Sequence, residues 1–469
     1  MNRKAFITQA LGGSLLFAAT GGSRLAAQTA PGGAALTGGR ISLEALGATP
    51  NGSGLCTLAL QKAIDLCHEN GGGTVVIPAG RFITGTVRLR SFVALELQHG
   101  AVLLGSTRSE DYPRQPVPQY RSLNDDGFRA LIYAEGEENI GLYGQGCIDG
   151  QGANFGTQGT DHDGRPRLIQ FVSCREVRVE GLRLRNSALW MQHYLNCENV
   201  QIRGLNVWNH ANHNNDMIDI DGCRQVTIAD CIGDSDDDGI TLKSTGLAPC
   251  ENVAVSNCVV SSHCNALKCG TESAGGFRNI VFANCVVKPS AEKKKINGRP
   301  EGISGIALEL VDGGILEGVT ISNIAIEGTM AAIFVRLGSR GRGPTKGAAR
   351  LPVGILRNVR ISNVLARGVG SIGSSITGLP EHHLEDVTLT GIRIELAAAA
   401  EGPAGAKSVP EKPTSYPEAR MWGPLPAYGF FVRHATRVRF FDVTVVPAAG
   451  ERRPRIVAED VTEGVGLET

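Results

Sequence analysis

The sequence predicts an all-β protein folded as a right-handed parallel β-helix. Three observations indicate this fold. One short apolar–polar–apolar pattern recurs along most of the chain. Glycine accounts for 61 of 469 residues while aromatic residues make up only 5%. Hydrophobic residues reach 42%, which is enough to fill a long core. Alternation with a period of two indicates short, half-buried strands, and a repeat of twenty to thirty residues is typical of one solenoid coil.

The pattern recurs from Asn139 to the C-terminal region. From Val177 to Val438, successive copies are separated by 23, 26, 27, 27, 39, 40, 28 and 51 residues. The longer steps, which follow Ile280 and Val319, predict loop insertions on one side of the solenoid. A leucine-rich repeat has a similar period, but it requires recurrent leucine and a helix or tight turn in each repeat. Valine and isoleucine dominate here, which favours the β-helix.

The two ends of the predicted solenoid have their own signals. Apolar residues at helical spacing predict a capping helix over Leu58–His68, and the glycines at 71–73 end it. The first strand is predicted at Thr74–Pro78. Residues 398–426 are rich in proline, alanine and glycine, which predicts a long surface loop before a last coil. We therefore expect residues 31–469 to form a single β-helix domain.

The first thirty residues have the layout of a secretory signal peptide. A short basic start at Arg3 and Lys4 precedes a mostly apolar stretch from Ala5 to Ala19. We expect residues 1–30 to be removed and the protein to be periplasmic or secreted. A frayed terminus is the alternative. No apolar run is long enough to cross a bilayer, so no membrane span is predicted.

The overall charge excludes one class of partner. Lysine plus arginine and aspartate plus glutamate both number 46, so the chain is formally neutral. A neutral chain lacks the basic surface of a nucleic-acid-binding protein. We expect a monomer that has no nucleic-acid partner.

Twelve cysteines in an exported chain would ordinarily indicate disulfides. Their spacing follows the coil repeat instead. The two regularly spaced series are Cys174, Cys197, Cys223 and Cys250, and Cys231, Cys258 and Cys285. Cysteines that recur once per coil stack on one another and behave as small, buried, apolar side chains. We expect free thiols in ladders, with a disulfide scaffold as the alternative.

Aspartates are concentrated on two successive coils, at 216, 219 and 221 and at 234 and 236–238. Aligning the strands that follow places Asp216, Asp238 and His263 at the same corner of three coils, about 4.8 Å apart. Like charges this close raise at least one pKa, as a general acid requires. Residues 234–239 also imitate the start of a calcium loop, although an EF-hand would need glutamate where Thr245 stands. A solvated acidic turn and a structural histidine are the other readings.

Four segments together resemble the polygalacturonase-like glycoside hydrolases of family 28, within the pectin lyase-like superfamily. The N-S-P-x-W-x-x-H segment of that family is similar to residues 186–193. Its N-T-D motif is similar to Asn214-Asn215-Asp216, its D-D pair to Asp237-Asp238, and its G-H-G loosely to Ser262-His263-Cys264. The resemblance covers most of the chain beyond residue 30, and several further segments resemble a bacterial branch.

The resemblance implies an inverting hydrolase that acts on pectic poly- or oligosaccharides without a metal or an organic cofactor. It assigns the general acid to Asp237. Asp216 and Asp238 would orient and deprotonate the attacking water, and His263 would tune the acid and bind substrate. The expected substrate-binding residues are Asn214, Lys243, Lys268, Glu309, Trp190 and His193.

The chain departs from the family at the R-I-K motif. The corresponding strand is Gly305–Leu310, with Ala307 in place of the arginine and Glu309 in place of the lysine. Those cations would grip a uronate carboxylate, so their loss predicts a neutral or deoxy sugar beside the cut, unless Lys268 or Arg336 replaces them. A calcium-dependent polysaccharide lyase and a non-catalytic glycan-binding β-helix remain the competing classes.

Overall fold

A computed structural model describes residues 39–115, 128–156, 164–345, 347–400 and 408–468. Within these residues the protein has 34 strands, one α-helix and four short 3-10 helices. The predicted signal peptide lies outside the described residues, so its boundary stays a prediction. None of the described helices combines the length and hydropathy that crossing a membrane requires.

The helix α1 spans Thr57–Glu69, and the 3-10 helices span Leu43–Leu46, Ser109–Asp111, Gly152–Asn154 and Ala419–Trp422. The first strands are β1 (Arg40–Ser42), β2 (Asn51–Leu55), β3 (Gly73–Ile77), β4 (Gly80–Thr84), β5 (Val87–Arg88), β6 (Val93–Leu97), β7 (Ala101–Gly105), β8 (Ala130–Glu135), β9 (Glu138–Gly144), β10 (Cys147–Asp149), β11 (Arg167–Val172) and β12 (Arg175–Glu180). They continue with β13 (Arg183–Arg185), β14 (Gln192–Leu195), β15 (Glu198–Arg203), β16 (Asn206–Asn209), β17 (Ile218–Asp221), β18 (Arg224–Ala229), β19 (Ile232–Ser235), β20 (Ile240–Ser244), β21 (Cys250–Ser256), β22 (Val259–Ser262), β23 (Asn265–Ser273) and β24 (Phe277–Ala283). The last are β25 (Val286–Val287), β26 (Ser304–Leu310), β27 (Ile315–Glu327), β28 (Ala331–Leu337), β29 (Ile355–Val369), β30 (Ser374–Thr377), β31 (Leu384–Leu396), β32 (Phe430–Thr436), β33 (Arg439–Val446) and β34 (Ile456–Thr462).

Successive coils stack through parallel pairing only, which confirms the parallel β-helix. Sheet A runs through β1, β3, β6, β9, β12, β15, β18, β21, β24, β27, β29, β31 and β33. Sheet B runs from β2 through β4, β7, β10, β13, β16, β19 and β22 to β25. Sheet C runs through β5, β8, β11, β14, β17, β20, β23, β26, β28, β30, β32 and β34.

The triplets read from the sequence are the strands of sheet A. Val177, Val200, Val226 and Val253 are partners in register on four consecutive coils, and all are buried. The residue after each valine faces outward, as Arg178 does. Alternation of this kind buries one apolar face along the whole stack, and this continuous core holds the coils together.

The cysteines are free thiols, as predicted. All twelve are unpaired, and every one except the half-buried Cys147 is buried. The two series form ladders inside the solenoid, where the backbone N–H of Cys197 donates to the Sγ of Cys223, 3.2 Å away. Burial raises the pKa of the Cys56 thiol to about 11, so a buried thiol of this kind stays protonated and unreactive.

Asparagines mark one edge of sheet A and form a ladder that the sequence only partly predicts. Asn257, Asn284, Asn323 and Asn363 all have left-handed backbone conformations, with φ of 53–57°. Asparagines beside turns predict side chains that bond the backbone at each coil corner. They bond each other instead: Asn323 Nδ2 donates to Asn284 Oδ1 over 3.0 Å, and Asn363 Nδ2 donates to Asn323 Oδ1 over 3.1 Å. Because the coils are in register, each of these asparagine side chains lies next to the asparagine of the adjacent coil.

Three long insertions border sheet C. Residues 288–303 connect β25 to β26, residues 338–354 connect β28 to β29, and residues 397–429 connect β31 to β32. The first two are the insertions predicted after Ile280 and Val319. The described part of the third has no strand, as its composition predicts. The outer face of sheet C is therefore the face where inserted segments can contribute side chains.

Candidate active site

The three predicted catalytic aspartates lie at the corners that lead into sheet C. Asp216 precedes β17, and Asp237 and Asp238 lie between β19 and β20. Ile218 pairs with Ile240 in register, so Asp216 and Asp238 stack as predicted. Asp238 O also accepts the backbone N–H of Met217 over 2.9 Å, which fixes the two corners to each other.

The predicted position of His263 is wrong by two residues. Ile240 pairs with Leu267, so Asn265, and not His263, continues the stack of Asp216 and Asp238. Ser235 pairs with Ser262, which places His263 opposite Asp236. Its Nδ1 lies 2.8 Å from Asp236 Oδ1, and this contact raises the pKa of the imidazole even though burial alone would lower it.

Because of this register, Lys243 and Lys268 do not occupy the same position on neighbouring coils. Lys268 pairs with Thr241 and with Ala307, whereas Lys243 pairs with Asp221. The two lysines therefore serve different carboxylates.

Asp237 is half-buried at its corner and held by two amide donors. Its Oδ1 accepts the backbone N–H of Asp238 over 2.9 Å, and its Oδ2 accepts Asn297 Nδ2 over 3.2 Å. One carboxylate oxygen each of Asp237 and Asp238 and the Sγ of Cys264 lie within 4.8 Å of one another. Burial, and then the negative charge of Asp238, raise the pKa of Asp237 to about 6.

Asp238 has the opposite electrostatic environment. Its Oδ2 accepts a hydrogen bond from Lys268 Nζ over 2.7 Å, and its Oδ1 accepts both the backbone N–H and the Nδ2 of Asn265. Burial would raise the pKa of Asp238, but Lys268, Lys243 and these hydrogen bonds outweigh burial and lower it. Adjacent carboxyl groups thus differ in protonation: Asp237 tends to keep its proton and Asp238 loses it.

Asp216 belongs to a second buried charge cluster. Lys243 Nζ lies 3.9 Å from Asp216 Oδ2, 3.4 Å from Asp219 Oδ1 and 3.6 Å from Glu272 Oε2. Burial and the nearby acids raise the pKa of Asp216 well above its usual range, and burial raises the pKa of Asp219 to about 7. Among the described residues, the buried Oδ1 of Asp216 has no hydrogen-bond partner, so its capacity to form a hydrogen bond is unused.

Glu309 is fully buried and lies beneath Lys268, with 3.4 Å between Lys268 Nζ and Glu309 Oε2. Burial raises its pKa to about 7. Ala307 pairs with Lys268, so the lysine stands one coil before the position of the missing arginine. The Arg336 guanidinium donates instead to the backbone carbonyl oxygens of Gly378 and Glu411. Of the two predicted substitutes, only Lys268 lies beside the acids.

Trp190 and His193 form a support beneath Lys243. Trp190 is 9% exposed, and its ring centroid lies 4.5 Å from the Arg167 guanidinium carbon and 4.8 Å from Lys243 Nζ. His193 is fully buried: its Nδ1 lies 2.9 Å from Gln170 Oε1 and its Nε2 lies 3.2 Å from Asp221 Oδ2. Burial lowers its pKa to about 4, so the ring is neutral.

Asn214 has a left-handed backbone conformation and is half-buried, two residues before Asp216. Its Oδ1 accepts Arg165 Nη2 over 3.1 Å. The next residue, Asn215, is structural, because its Nδ2 donates to the carbonyl oxygens of Ser187 and Leu189. This contact joins the N-N-D motif to the 186–193 segment.

Sequence reasoning missed the residues that the insertions bring to the site. Asn297 reaches Asp237 from the 288–303 segment, and the neighbouring Gly298 has φ of 49°. A Cβ at Gly298 would lie 1.8 Å from the carbonyl oxygen of His263, so only glycine fits there. The Asn-Gly pair was the available signal. From the 338–354 segment, Arg340 donates to Asp312 and approaches Glu272.

The D-x-D-x-D-G stretch is not arranged as a calcium loop. Asp234 accepts Ser290 Oγ and the backbone N–H of Ala291, and Asp236 accepts the backbone N–H groups of Ile296 and Asn297. These carboxylates hold the 288–303 segment against the corner, and that segment in turn delivers Asn297 to Asp237.

The family model described as glycosyl hydrolases family 28 matches residues 67–402. A probable polygalacturonase of Vitis vinifera is 31% identical over 217 residues, which is 43% of this chain and 44% of that protein. An exo-poly-alpha-D-galacturonosidase of Dickeya chrysanthemi is 32% identical over 150 residues, which is 30% of this chain and 24% of that protein. The chain thus spans less than half the length of these curated relatives.

Two solved structures share the fold. An exopolygalacturonase from Thermotoga maritima is 23% identical with a TM-score of 0.63, covering 76% of this chain and 87% of its own. A family 28 exopolygalacturonase of Yersinia enterocolitica is 20% identical with a TM-score of 0.67, covering 91% of this chain and 78% of its own. These likenesses confirm the right-handed β-helix. Because the family model matches well over half of the sequence, the chain belongs to family 28 of the glycosyl hydrolases.

Proposed function

We propose that this protein is an exported glycoside hydrolase that cleaves pectic poly- or oligosaccharides and inverts the anomeric carbon. The observation that carries the proposal is the opposite pKa shift of two adjacent carboxyl groups. The pKa of Asp237 is raised to about 6 while that of Asp238 is lowered. A glycosidase needs one protonated and one ionised carboxyl group at the same pH.

Asp237 is the general acid in this proposal. It keeps its proton at mildly acidic pH, and it is the only partly exposed member of the Asp216, Asp237 and Asp238 group. Asn297 fixes its Oδ2. Asp237 can therefore present a proton to the oxygen of the leaving sugar.

Asp216 and Asp238 hold the attacking water. The ionised Asp238 is the base, and the unpartnered Oδ1 of Asp216, one coil away, orients the water. Inverting enzymes leave about 6.5–9.5 Å between acid and base for this water. The nearest oxygens of Asp237 and Asp238 are closer than 4.8 Å. This separation is shorter than the inverting range. We therefore expect the attacking water beside Asp216, and not between these two oxygens of Asp237 and Asp238.

The remaining site residues bind sugar or support those that do. Asn214, Lys243 and Lys268 are the candidates beside the acids, and Lys268 forms ion pairs with Asp238 and Glu309. The burial of Glu309 and His193 favours indirect roles, through Lys268 and Trp190 respectively. Trp190 in turn packs against Lys243. His263 acts on the acid through Asp236, its hydrogen-bond partner next to Asp237.

We expect cleavage from chain ends and a neutral sugar beside the cut. The insertions at 288–303 and 338–354 place Asn297 and Arg340 against site residues, which favours a closed groove. Lys268 is already paired with two acids, so it is a poor substitute for the missing R-I-K cations. Both features favour a rhamnose-containing pectic oligosaccharide over plain polygalacturonate.

The experiment is a screen of pectic oligosaccharides with product analysis by NMR. An initial product of inverted anomeric configuration supports the proposal, and a retained configuration contradicts the mechanism. A product that absorbs as an unsaturated uronide would indicate a lyase instead. Glycan binding without cleavage would indicate a non-catalytic β-helix. Efficient hydrolysis of plain polygalacturonate would contradict only the preference for a neutral sugar.

A further inference from the structure

A cluster of two histidines and one aspartate lies at one corner near the C-terminal end of sheet C. These three residues have no role in the proposed reaction. His383 precedes β31, His434 lies in β32 and Asp460 lies in β34. Leu384 pairs with Ala435, and Ala435 pairs with Val461, so the three residues occupy one register position on successive coils. Coil stacking alone therefore brings their side chains together.

The three side chains converge on one atom. His383 Nε2 lies 2.9 Å from Asp460 Oδ2, and His434 Nδ1 lies 2.6 Å from the same oxygen. All three ligand atoms are within 4.8 Å of one another. In a tetrahedral zinc site with bonds of 2.0–2.2 Å, ligand atoms are about 3.3 Å apart. Movements well under an ångström would open the present contacts to that spacing.

The outer ring nitrogen of each histidine is also occupied. His434 Nε2 lies 3.1 Å from Glu411 Oε1, and His383 Nδ1 lies 3.1 Å from Thr436 Oγ1. Metal-binding histidines characteristically hold their second nitrogen against a carboxylate or another polar partner, which fixes the ring orientation. Arg433 Nη1, 3.2 Å from Glu411 Oε1, keeps that carboxylate in place.

We propose that His383, His434 and Asp460 bind a divalent transition-metal ion of the zinc class. Two imidazoles and one carboxylate are the donors that such ions prefer, and three protein ligands leave a fourth position for water. The Asp460 side chain is 49% exposed and that of His383 is 23% exposed, so an ion can enter from solvent. Bound there, it would join three coils near the end of the solenoid, independently of the acids that cleave the substrate.

The test is zinc titration of the chelator-treated protein by calorimetry. We expect one zinc ion per chain from this site and a higher melting temperature when it is bound. His383→Gln and Asp460→Asn should each abolish that binding. Glu411→Gln should weaken it by about 10–100-fold, because only the outer partner of His434 is lost. The control is His382→Gln, which changes an exposed histidine next to the cluster and should leave binding unchanged.

Cobalt supplies a readout that does not depend on variant stability. Co²⁺ bound by the wild-type protein should give the intense visible absorption of a tetrahedral site, and zinc should displace it. Absence of stoichiometric zinc binding would overturn the proposal. Binding that survives both His383→Gln and Asp460→Asn would also overturn it, by assigning the ion to another part of the chain.

Discussion

Lys268 Nζ donates to Asp238 Oδ2 over 2.7 Å and also lies 3.4 Å from Glu309 Oε2. One buried cation therefore serves two buried carboxylates, one on the preceding coil and one on the following coil. Its charge lowers the pKa of Asp238 against the opposing effect of burial, while Glu309, with weaker contacts, has its pKa raised to about 7. The position of Lys268 thus decides which acid at the site is ionised.

Lys268→Met should impair both activity and folding. Without the lysine, the pKa of Asp238 rises, so the acidic limb of the pH–rate profile should move to higher pH. Loss of one partner from a buried ion pair costs about 3–5 kcal/mol of folding free energy. Steady-state kinetics across pH and urea unfolding measure the two effects. Glu309→Gln is the matched variant, because it keeps the Lys268–Asp238 contact and should retain the acidic limb. An unshifted limb in Lys268→Met would contradict the assignment.

The activity should fall as pH rises through about 6. Asp237 must be protonated to act as an acid, and its pKa is raised to about 6. Asp238, with a lowered pKa, stays ionised over the same range. The expected profile of kcat/KM therefore has its alkaline limb near pH 6 and its acidic limb below the ordinary range of an aspartate. A plateau extending to pH 8 would show that Asp237 is not the acid of the free enzyme.

Replacing the aspartates by asparagine should separate activity from stability. Asp216→Asn, Asp237→Asn and Asp238→Asn should each lower turnover by about 10²–10⁴-fold. The pKa of Asp237 is raised on folding, so the contribution of this group to stability falls as pH rises from about 4 through 6. Asp237→Asn lacks this loss, and its melting temperature should gain on the wild type as pH rises.

Asp238→Asn should behave differently from Asp237→Asn. It removes the closest partner of the buried Lys268, so its melting temperature should fall at neutral pH. Thermal denaturation at pH 4 and pH 7 compares the two variants, with Asp65→Asn on helix α1 as the control. Equal responses of Asp237→Asn and Asp238→Asn would contradict the opposite electrostatic environments of these residues.

Much of the site could be predicted because the coil repeat carries register information. Apolar strand residues such as Ile218 and Ile240 face the core, so aligning them also aligned Asp216 with Asp238. The same kind of alignment failed for His263, because it matched Leu267 with Leu242, whereas Leu267 pairs with Ile240 in the structure. A shift of two residues leaves every side chain on the same face of the sheet, so the apolar alternation cannot distinguish the two registers.

The contributions of the insertions could not be predicted in the same way. Asn297 lies in a segment without a repeat, and its position depends on backbone N–H groups that donate to Asp234 and Asp236. The sequence marked those aspartates as chemically important but did not show that they anchor a loop. Asp219 and Glu272 were missed because their shared partner, Lys243, was assigned to substrate.

The cysteine ladders predict a fully reduced protein. After denaturation without reductant, thiol titration should find about twelve free thiols per chain, since all twelve are unpaired in the fold. In the folded protein the same reagent should react slowly, because eleven of the thiols are buried. The half-buried Cys147 should react first, and Cys147→Ser should remove that fast phase. A titre near zero after denaturation would contradict the ladders.

The asparagine ladder predicts an unusual order of stabilities at position 323. Asn323 has φ of 57°, donates to Asn284 Oδ1 and accepts from Asn363 Nδ2. Asn323→Gly loses both side-chain hydrogen bonds but fits the left-handed backbone. Asn323→Ala loses the same bonds and adds a strain of about 1–2 kcal/mol. The free energy of unfolding in urea should therefore fall further for alanine than for glycine, although alanine is ordinarily the more stabilising residue. Thr320→Ala, at an outward position on the same strand, is the control. If alanine proved as stable as glycine at position 323, the left-handed corner would not be a constraint on the fold.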